Sequence, residues 1–269
     1  MIHEPAGSIA YDESGDGPTV VFVPGSCSTG AAWRPVTAAL KDRFRCVTTS
    51  LLGYGATAER RTRDDTSVSH EADIIEAVMQ RAGGRVHLVG HSFGGLVSLV
   101  VAIRAKVPPA SLVIAEAAAT ELLRASGEHL HHRAFRTMTD GYFAAFEQGD
   151  EEAIVNMIDF YGGVGTLASW PTRVRAYALE TTAVNIRDWA NTYGFPLSQP
   201  ALEAANVLTL VLRGGSSHAA MQRANEILST HIAGAMLATI PGAAHFMIST
   251  HAEQVARAIA GHVERAERH

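Results

Sequence analysis

The sequence has 269 residues, enough for one α/β domain with an insertion or at most two small domains. Hydrophobic residues make up 47% and charged residues 18%, a balance that fills a large core and argues against disorder. A formal charge of −5, no run of Lys or Arg and no apolar run of membrane-span length point away from nucleic acid and membrane partners.

The first segment, MIHEPAGSIAYDESG, lacks a basic stretch followed by an apolar one, so no signal peptide is expected. Cys27 and Cys46 have neither metal-ligand spacing nor a disulfide framework. Both features fit a reducing cytoplasm. Arg60, Arg61 and Arg63 are the densest basic group and are expected to decorate a solvated loop.

In chain order, Ser8 to Tyr11 reads as a short strand and Asp12 to Pro18 as a turn. Thr19 to Val23, TVVFV, reads as a buried strand stopped by Pro24-Gly25, and a helix is expected over Ala32 to Lys41. Arg45 to Ser50 is the next strand. After Gly53-Tyr54-Gly55, loop character runs to about Thr66. Ser67 or Ser69 can cap a helix that puts Ile74, Ile75, Val78 and Met79 on one face, and Gly83-Gly84 ends it.

Val86 to Val89 then suits a buried strand and Leu96 to Ile103 a buried helix. Pro108-Pro109 breaks the chain, and Leu112 to Ala115 is a strand ending at Glu116. From Ala117 to Pro200 the patterns are helical: about Thr120–Ser126, Arg133–Gln148, Glu151–Phe160 and Pro171–Trp189. Alternation resumes with a strand at Val207–Leu212, a helix near Ala219–Thr230, a strand at Met236–Ile240 and a helix near Glu253–Glu267. The pattern predicts a mostly parallel sheet with helices on both faces, formed by residues 1–116 and 201–269, with 117–200 as an inserted helical cap.

Between the strand at Val86 and the helix at Leu96 lies Gly90-His91-Ser92-Phe93-Gly94. G-x-S-x-G at a strand-to-helix turn describes a nucleophile elbow. The serine takes a strained conformation there, and its neighbours two residues away must be small. A serine hydroxyl needs a general base, and His245, in TIPGAAHFM after the last strand, is the best placed. The oxyanion of an acyl-transfer intermediate needs donors. The Phe93 N–H, just after the nucleophile, and the Ser26 N–H, in VPGSCSTG after the TVVFV strand, are expected to supply them. Every one of these residues follows a predicted strand, where open parallel sheets place their chemistry.

With these landmarks the chain resembles the α/β-hydrolase family over essentially its whole length. The resemblance implies Ser92 as nucleophile, His245 as base, and Ser26 and Phe93 as oxyanion donors, with no cofactor or metal. It departs from the family pattern at Pro24-Gly25, where His-Gly is common, and at Ser50-Leu51-Leu52-Gly53-Tyr54-Gly55, where Asp-x-x-Gly-x-Gly is common. The third departure is informative. The family's acid usually follows the strand that here is VLTLVLR, but Gly214-Gly215-Ser216-Ser217-His218 holds no carboxylate. The acid is therefore expected one strand earlier, at Glu116, closing a Ser92–His245–Glu116 triad.

That placement is similar to fungal zearalenone lactonases, whose cap carries a tryptophan in contact with substrate. By that likeness Trp189, in RDWANTYGFP, becomes a substrate-binding candidate, with burial as a cap anchor the plainer role. His129, His131 and His132 lack partners at metal-ligand spacing, Cys27 has no base placed for it, and Gly53-Tyr54-Gly55 lacks the rest of a dinucleotide site.

The expected function is a cytoplasmic serine hydrolase cleaving an ester or lactone bond of a small, largely apolar substrate. A cofactor-free oxygenase, a C–C bond hydrolase or a slow-turnover receptor on the same fold are the alternatives. A small molecule is the expected partner, and a homo-oligomer stays open.

Overall fold

The apolar runs become strands. The structure, a computed structural model, describes residues 1–4, 7–62, 65 and 67–268. Its strands are β1 (Ile2–Glu4), β2 (Gly7–Ile9), β3 (Asp12–Ser14), β4 (Thr19–Val23), β5 (Arg45–Thr48), β6 (Val86–His91), β7 (Ser111–Ala115), β8 (Thr209–Gly214) and β9 (Met236–Ile240). β1 and β2 form a separate antiparallel pair, and the others form one sheet in the order β3-β5-β4-β6-β7-β8-β9. β3 is antiparallel to β5, and every other pairing in that sheet is parallel.

Around the sheet run α1 (Arg34–Leu40), α2 (Ser69–Ala82) and α3 (Phe93–Arg104). Between β7 and β8 come α4 (Thr120–Ala125), α5 (His129–Glu147), α6 (Val155–Gly162), α7 (Thr166–Ser169), α8 (Thr172–Glu180), α9 (Thr182–Gly194) and α10 (Gln199–Glu203). The chain closes with α11 (Ala219–His231), α12 (Met247–Thr250) and α13 (Ala252–Glu267).

Side chains alternate across a strand, so β4 feeds two cores. Val20 and Phe22 pack with Val36 of α1 and with Val255, Ile259 and Val263 of α13. Val21 and Val23 belong to the other face, with Ile75 and Val78 of α2 and Leu96 and Val97 of α3. Burying both faces explains why TVVFV reads as a continuous apolar run rather than an alternating one. Each such side chain contributes roughly 1.5–3 kcal/mol by leaving water. The chain leaves β4 in one direction to β5 and returns on its other side as β6. The crevice at the carboxyl ends of β4 and β6 is thus the switch point where such sheets bind ligands.

Several details differ from the sequence reading. Asp12–Ser14 is strand, not turn, because its backbone pairs with Cys46–Thr48 while exposed acidic side chains blunt the sheet edge. The strand expected at Ser8–Tyr11 is β2, paired outside the main sheet. The helix expected over Pro171–Trp189 is two helices. Thr181 and Thr182 at the break turn their hydroxyls back onto the carbonyls of Tyr177 and Leu179. The boundary expected at residue 200 falls inside α10. Arg61 of the basic group is not a solvated decoration, because it is only 5% exposed. Arg63 lies outside the described residues.

Candidate active site

The turn from β6 to α3 sets the site. Ser92 sits between them with φ 56° and ψ −124°, a conformation that costs a residue with a Cβ about 1–3 kcal/mol. The Ser92 N–H donates to the Ala115 carbonyl of β7 at 3.0 Å, and its own carbonyl accepts from Gly95 at 2.9 Å and Ala118 at 3.1 Å. Those bonds hold the strain in place. The crossing is tight: a Cβ on Gly94 would lie 2.2 Å from the Pro24 oxygen, and one on Gly90 would lie 2.4 Å from the Gly94 oxygen.

His245 arrives on the loop after β9. Its Nε2 lies 2.9 Å from Ser92 Oγ and its Nδ1 lies 2.8 Å from Glu116 Oε2. With the proton on Nδ1, held by the carboxylate, Nε2 is free to accept the serine proton. Glu116 caps β7 with φ 48° and is fully buried. Its N–H donates to the Leu212 carbonyl at 3.0 Å, and its Oε1 accepts the Gly214 N–H at 2.6 Å. The strand after which an acid is missing therefore supplies a backbone donor to the carboxylate on its neighbour.

Beside the adjacent Phe246, two rings from distant segments lie against His245, and neither is legible as a site residue in the sequence. Tyr161, at the end of α6, stacks on the imidazole with centroids 4.2 Å apart at 21°. His91 lies 4.8 Å away, and its Nε2–H donates to the His245 carbonyl at 2.9 Å. Burial, together with the neighbouring His245, pushes the His91 imidazole down to about 3. It therefore stays neutral and acts as a fixed donor.

Gly25 and Ser26 follow β4 beside the elbow, where a Cβ on Gly25 would lie 2.9 Å from Ser92 Cβ. Neither the Ser26 N–H nor the Phe93 N–H donates to another described residue. Cys27 then takes φ 58°, and Ser26 Oγ donates to Asp188 Oδ2 at 2.5 Å.

A cavity of about 370 Å³ opens at Ser92. The core contributes Ser26, Phe93 and His245 to its lining, and the segment between β7 and β8 contributes Met157, Tyr161 and Trp189. Trp189 is 4% exposed and stacks on Tyr193 at 5.5 Å, so it both anchors α9 and lines the cavity. No Lys or Arg is among the described lining residues.

Asp188, also in that lining, belongs to an ion cluster that the sequence concealed. Arg61 Nη1 lies 2.6 Å from Asp188 Oδ1 and 3.1 Å from Glu71, while Nη2 lies 2.8 Å from Glu59. Tyr54 donates to Asp188 Oδ2 at 2.6 Å. Burial raises the Asp188 carboxyl, against the pull of Arg61. Asp188 lies 127 positions from Arg61, so the local sequence gave no sign that the two would meet.

His131 and His132 pair with Glu128 and Glu121 at 3.0 Å each. Burial pushes the Cys27 thiol well up, the opposite of an activated nucleophile.

A strand-turn-helix serine, a histidine after the last strand and a carboxylate on a parallel sheet are the marks of one class of protein. The chain belongs to the α/β hydrolase family, whose profile matches residues 20–258. Haloalkane dehalogenase 2 of Mycobacterium bovis is 32% identical over 98 residues, 36% of this chain and 34% of its own length. The pimeloyl-(acyl-carrier protein) methyl ester esterase of Vibrio cholerae is 34% identical over 96 residues, 36% of this chain and 35% of its own. The chain thus spans about a third of the length of these relatives. An N-acyl homoserine lactone degrading enzyme superposes with TM-score 0.75 at 18% identity, covering 96% of this chain and 98% of that one. A thermophilic esterase from Thermogutta terrifontis gives TM-score 0.73 at 22% identity, covering 96% and 93%. At these identities the structural likeness is one of fold. Among the described residues, no helix is long and apolar enough to cross a membrane.

Proposed function

We propose that this protein is a serine hydrolase that cleaves an ester or lactone bond of a compact, uncharged, largely apolar molecule. The observation that carries the reading is the unbroken chain from Glu116 Oε2 to His245 at 2.8 Å and from His245 to Ser92 Oγ at 2.9 Å. In it Ser92 attacks the carbonyl carbon, and His245 takes the hydroxyl proton and returns it to the leaving oxygen. Glu116 holds the imidazole tautomer and offsets the imidazolium charge. The N–H groups of Ser26 and Phe93 hold the oxyanion, each worth roughly 3 kcal/mol in the transition state. Water then releases the acyl group through the same base.

Residues 117–200 act as a cap that selects the substrate, with Trp189 in the pocket wall. A mostly apolar cavity of about 370 Å³ with no Lys or Arg in its described lining favours small neutral acyl compounds over anionic ones. The methyl ester esterase among the relatives supports an ester as the bond cleaved.

Labelling with a fluorophosphonate, located by mass spectrometry, is expected to fall on Ser92, and Ser92→Ala is expected to abolish turnover of every accepted ester. Turnover that survives Ser92→Ala, with oxygen consumed, would replace hydrolysis by oxygenation on this fold.

A further inference from the structure

We infer that Asp188 is a positioning residue for the oxyanion loop, acting through the Ser26 hydroxyl and kept harmless to the oxyanion by Arg61. The inference rests on the serine-hydrolase reading above and adds a residue to it.

The Ser26 N–H is the donor that depends on loop geometry, since Phe93 is fixed by α3. The loop holds an unfavourable conformation one residue later, with Cys27 at φ 58°. Such strain persists only where the surroundings over-determine it. Gly25 abuts Ser92 on one side, and Ser28 Oγ donates to the Gly25 carbonyl at 2.7 Å. The remaining tether of Ser26 is its hydroxyl, which donates to Asp188 at 2.5 Å. Asp188 is on α9, 162 positions along the chain, so the bond fastens the helical segment to the loop.

Electrostatics explains the rest of the cluster. A carboxylate one bond away from an oxyanion donor would repel the developing negative charge. Arg61 answers that by ion-pairing Asp188 Oδ1 at 2.6 Å, and Tyr54 takes a lone pair of Oδ2 at 2.6 Å. Glu59 and the fully buried Glu71 hold the guanidinium from its other sides at 2.8 and 3.1 Å. Arg187 also faces Glu59, at 3.4 Å. A bare apolar contact would anchor α9 as firmly; the charged cluster makes sense where direction matters, because a carboxylate fixes where the Ser26 hydroxyl points.

The test compares Ser26→Ala, Asp188→Asn and the double variant, using p-nitrophenyl butyrate turnover, fluorophosphonate labelling rate and melting temperature. Ser26→Ala removes only the tether and keeps the N–H, so it is safe if Asp188→Asn folds poorly. Each single variant is expected to lower kcat and the labelling rate about tenfold, with KM nearly unchanged, as misplacement of a transition-state donor does. The double variant is expected to be no slower than the slower single, because both break one tether. Melting temperatures that fall while kcat and labelling stay at the parent level would reduce Asp188 to a structural role and overturn the inference. So would additive losses. Ser92→Ala, run alongside, separates the two failures: activity surviving in it sinks the hydrolase reading, whereas its loss with intact Asp188→Asn turnover sinks only this one.

Discussion

Glu116 reaches His245 from the end of β7 while its second oxygen is occupied by the Gly214 N–H at 2.6 Å. The carboxylate is held by two fixed donors, which sets its direction as well as its charge. Glu116→Gln keeps the shape but offers an amide where the histidine needs an acceptor. The expected cost is about 10⁴-fold in kcat, by the tautomer argument, with melting temperature little changed. Steady-state kinetics on p-nitrophenyl butyrate check it, and a loss below tenfold would point to another acid.

Tyr161 stacks on the His245 ring at 4.2 Å. Aromatic contacts of this kind are worth about 0.5–1.5 kcal/mol. Tyr161→Ala should therefore lower kcat up to about tenfold by loosening the base, while Tyr161→Phe keeps the ring and the rate. Equal loss in both variants would assign the effect to the hydroxyl instead.

Acid sensitivity follows from buried histidines. Burial lowers His91 to about 3 and His262 to about 4, and it lowers His87 as well, against the pull of Glu267. Unfolded histidines titrate near 6.5. Above that pH neither state binds the proton, so the stability is fully present. Below it the unfolded chain takes up protons that the folded one refuses, and stability falls as pH drops toward the folded values, by up to about 1.4 kcal/mol per pH unit for each group. Urea denaturation between pH 7 and 4 should show this limb, and His262→Gln should flatten it. An unchanged slope would exclude His262 as a contributor.

The glycines divide by what surrounds them. Gly94 has the Pro24 oxygen 2.2 Å from its would-be Cβ, whereas Gly141, inside α5, has nothing within 4 Å. Gly94→Ala should cost about 1–3 kcal/mol or more by forcing the elbow apart. Gly141→Ala should gain about 0.5–1 kcal/mol from helix propensity alone. Thermal melts of the two variants check both signs.

The sequence by itself determined the parallel strands of the main sheet, the strand-turn-helix around Ser92 and the loop that carries His245, because each is written in contiguous residues. TVVFV is apolar at every position since both faces are covered, and Gly90, Ser92 and Gly94 stand in one short segment since a single sharp turn needs them together. That no carboxylate follows VLTLVLR could also be read, and Glu116 at the end of the neighbouring strand lies 2.8 Å from His245. What only the tertiary structure decided are relations between distant segments. Asp12–Ser14 is strand because β5 lies beside it. Arg61 is buried because Asp188, 127 positions away, offsets its charge. Tyr161 and His91 face His245 because α6 and β6 converge there. Local pattern encodes backbone preference and burial, but a buried ion pair or a stacked ring depends on which partner the fold delivers. Residues adjacent in sequence carry no record of that.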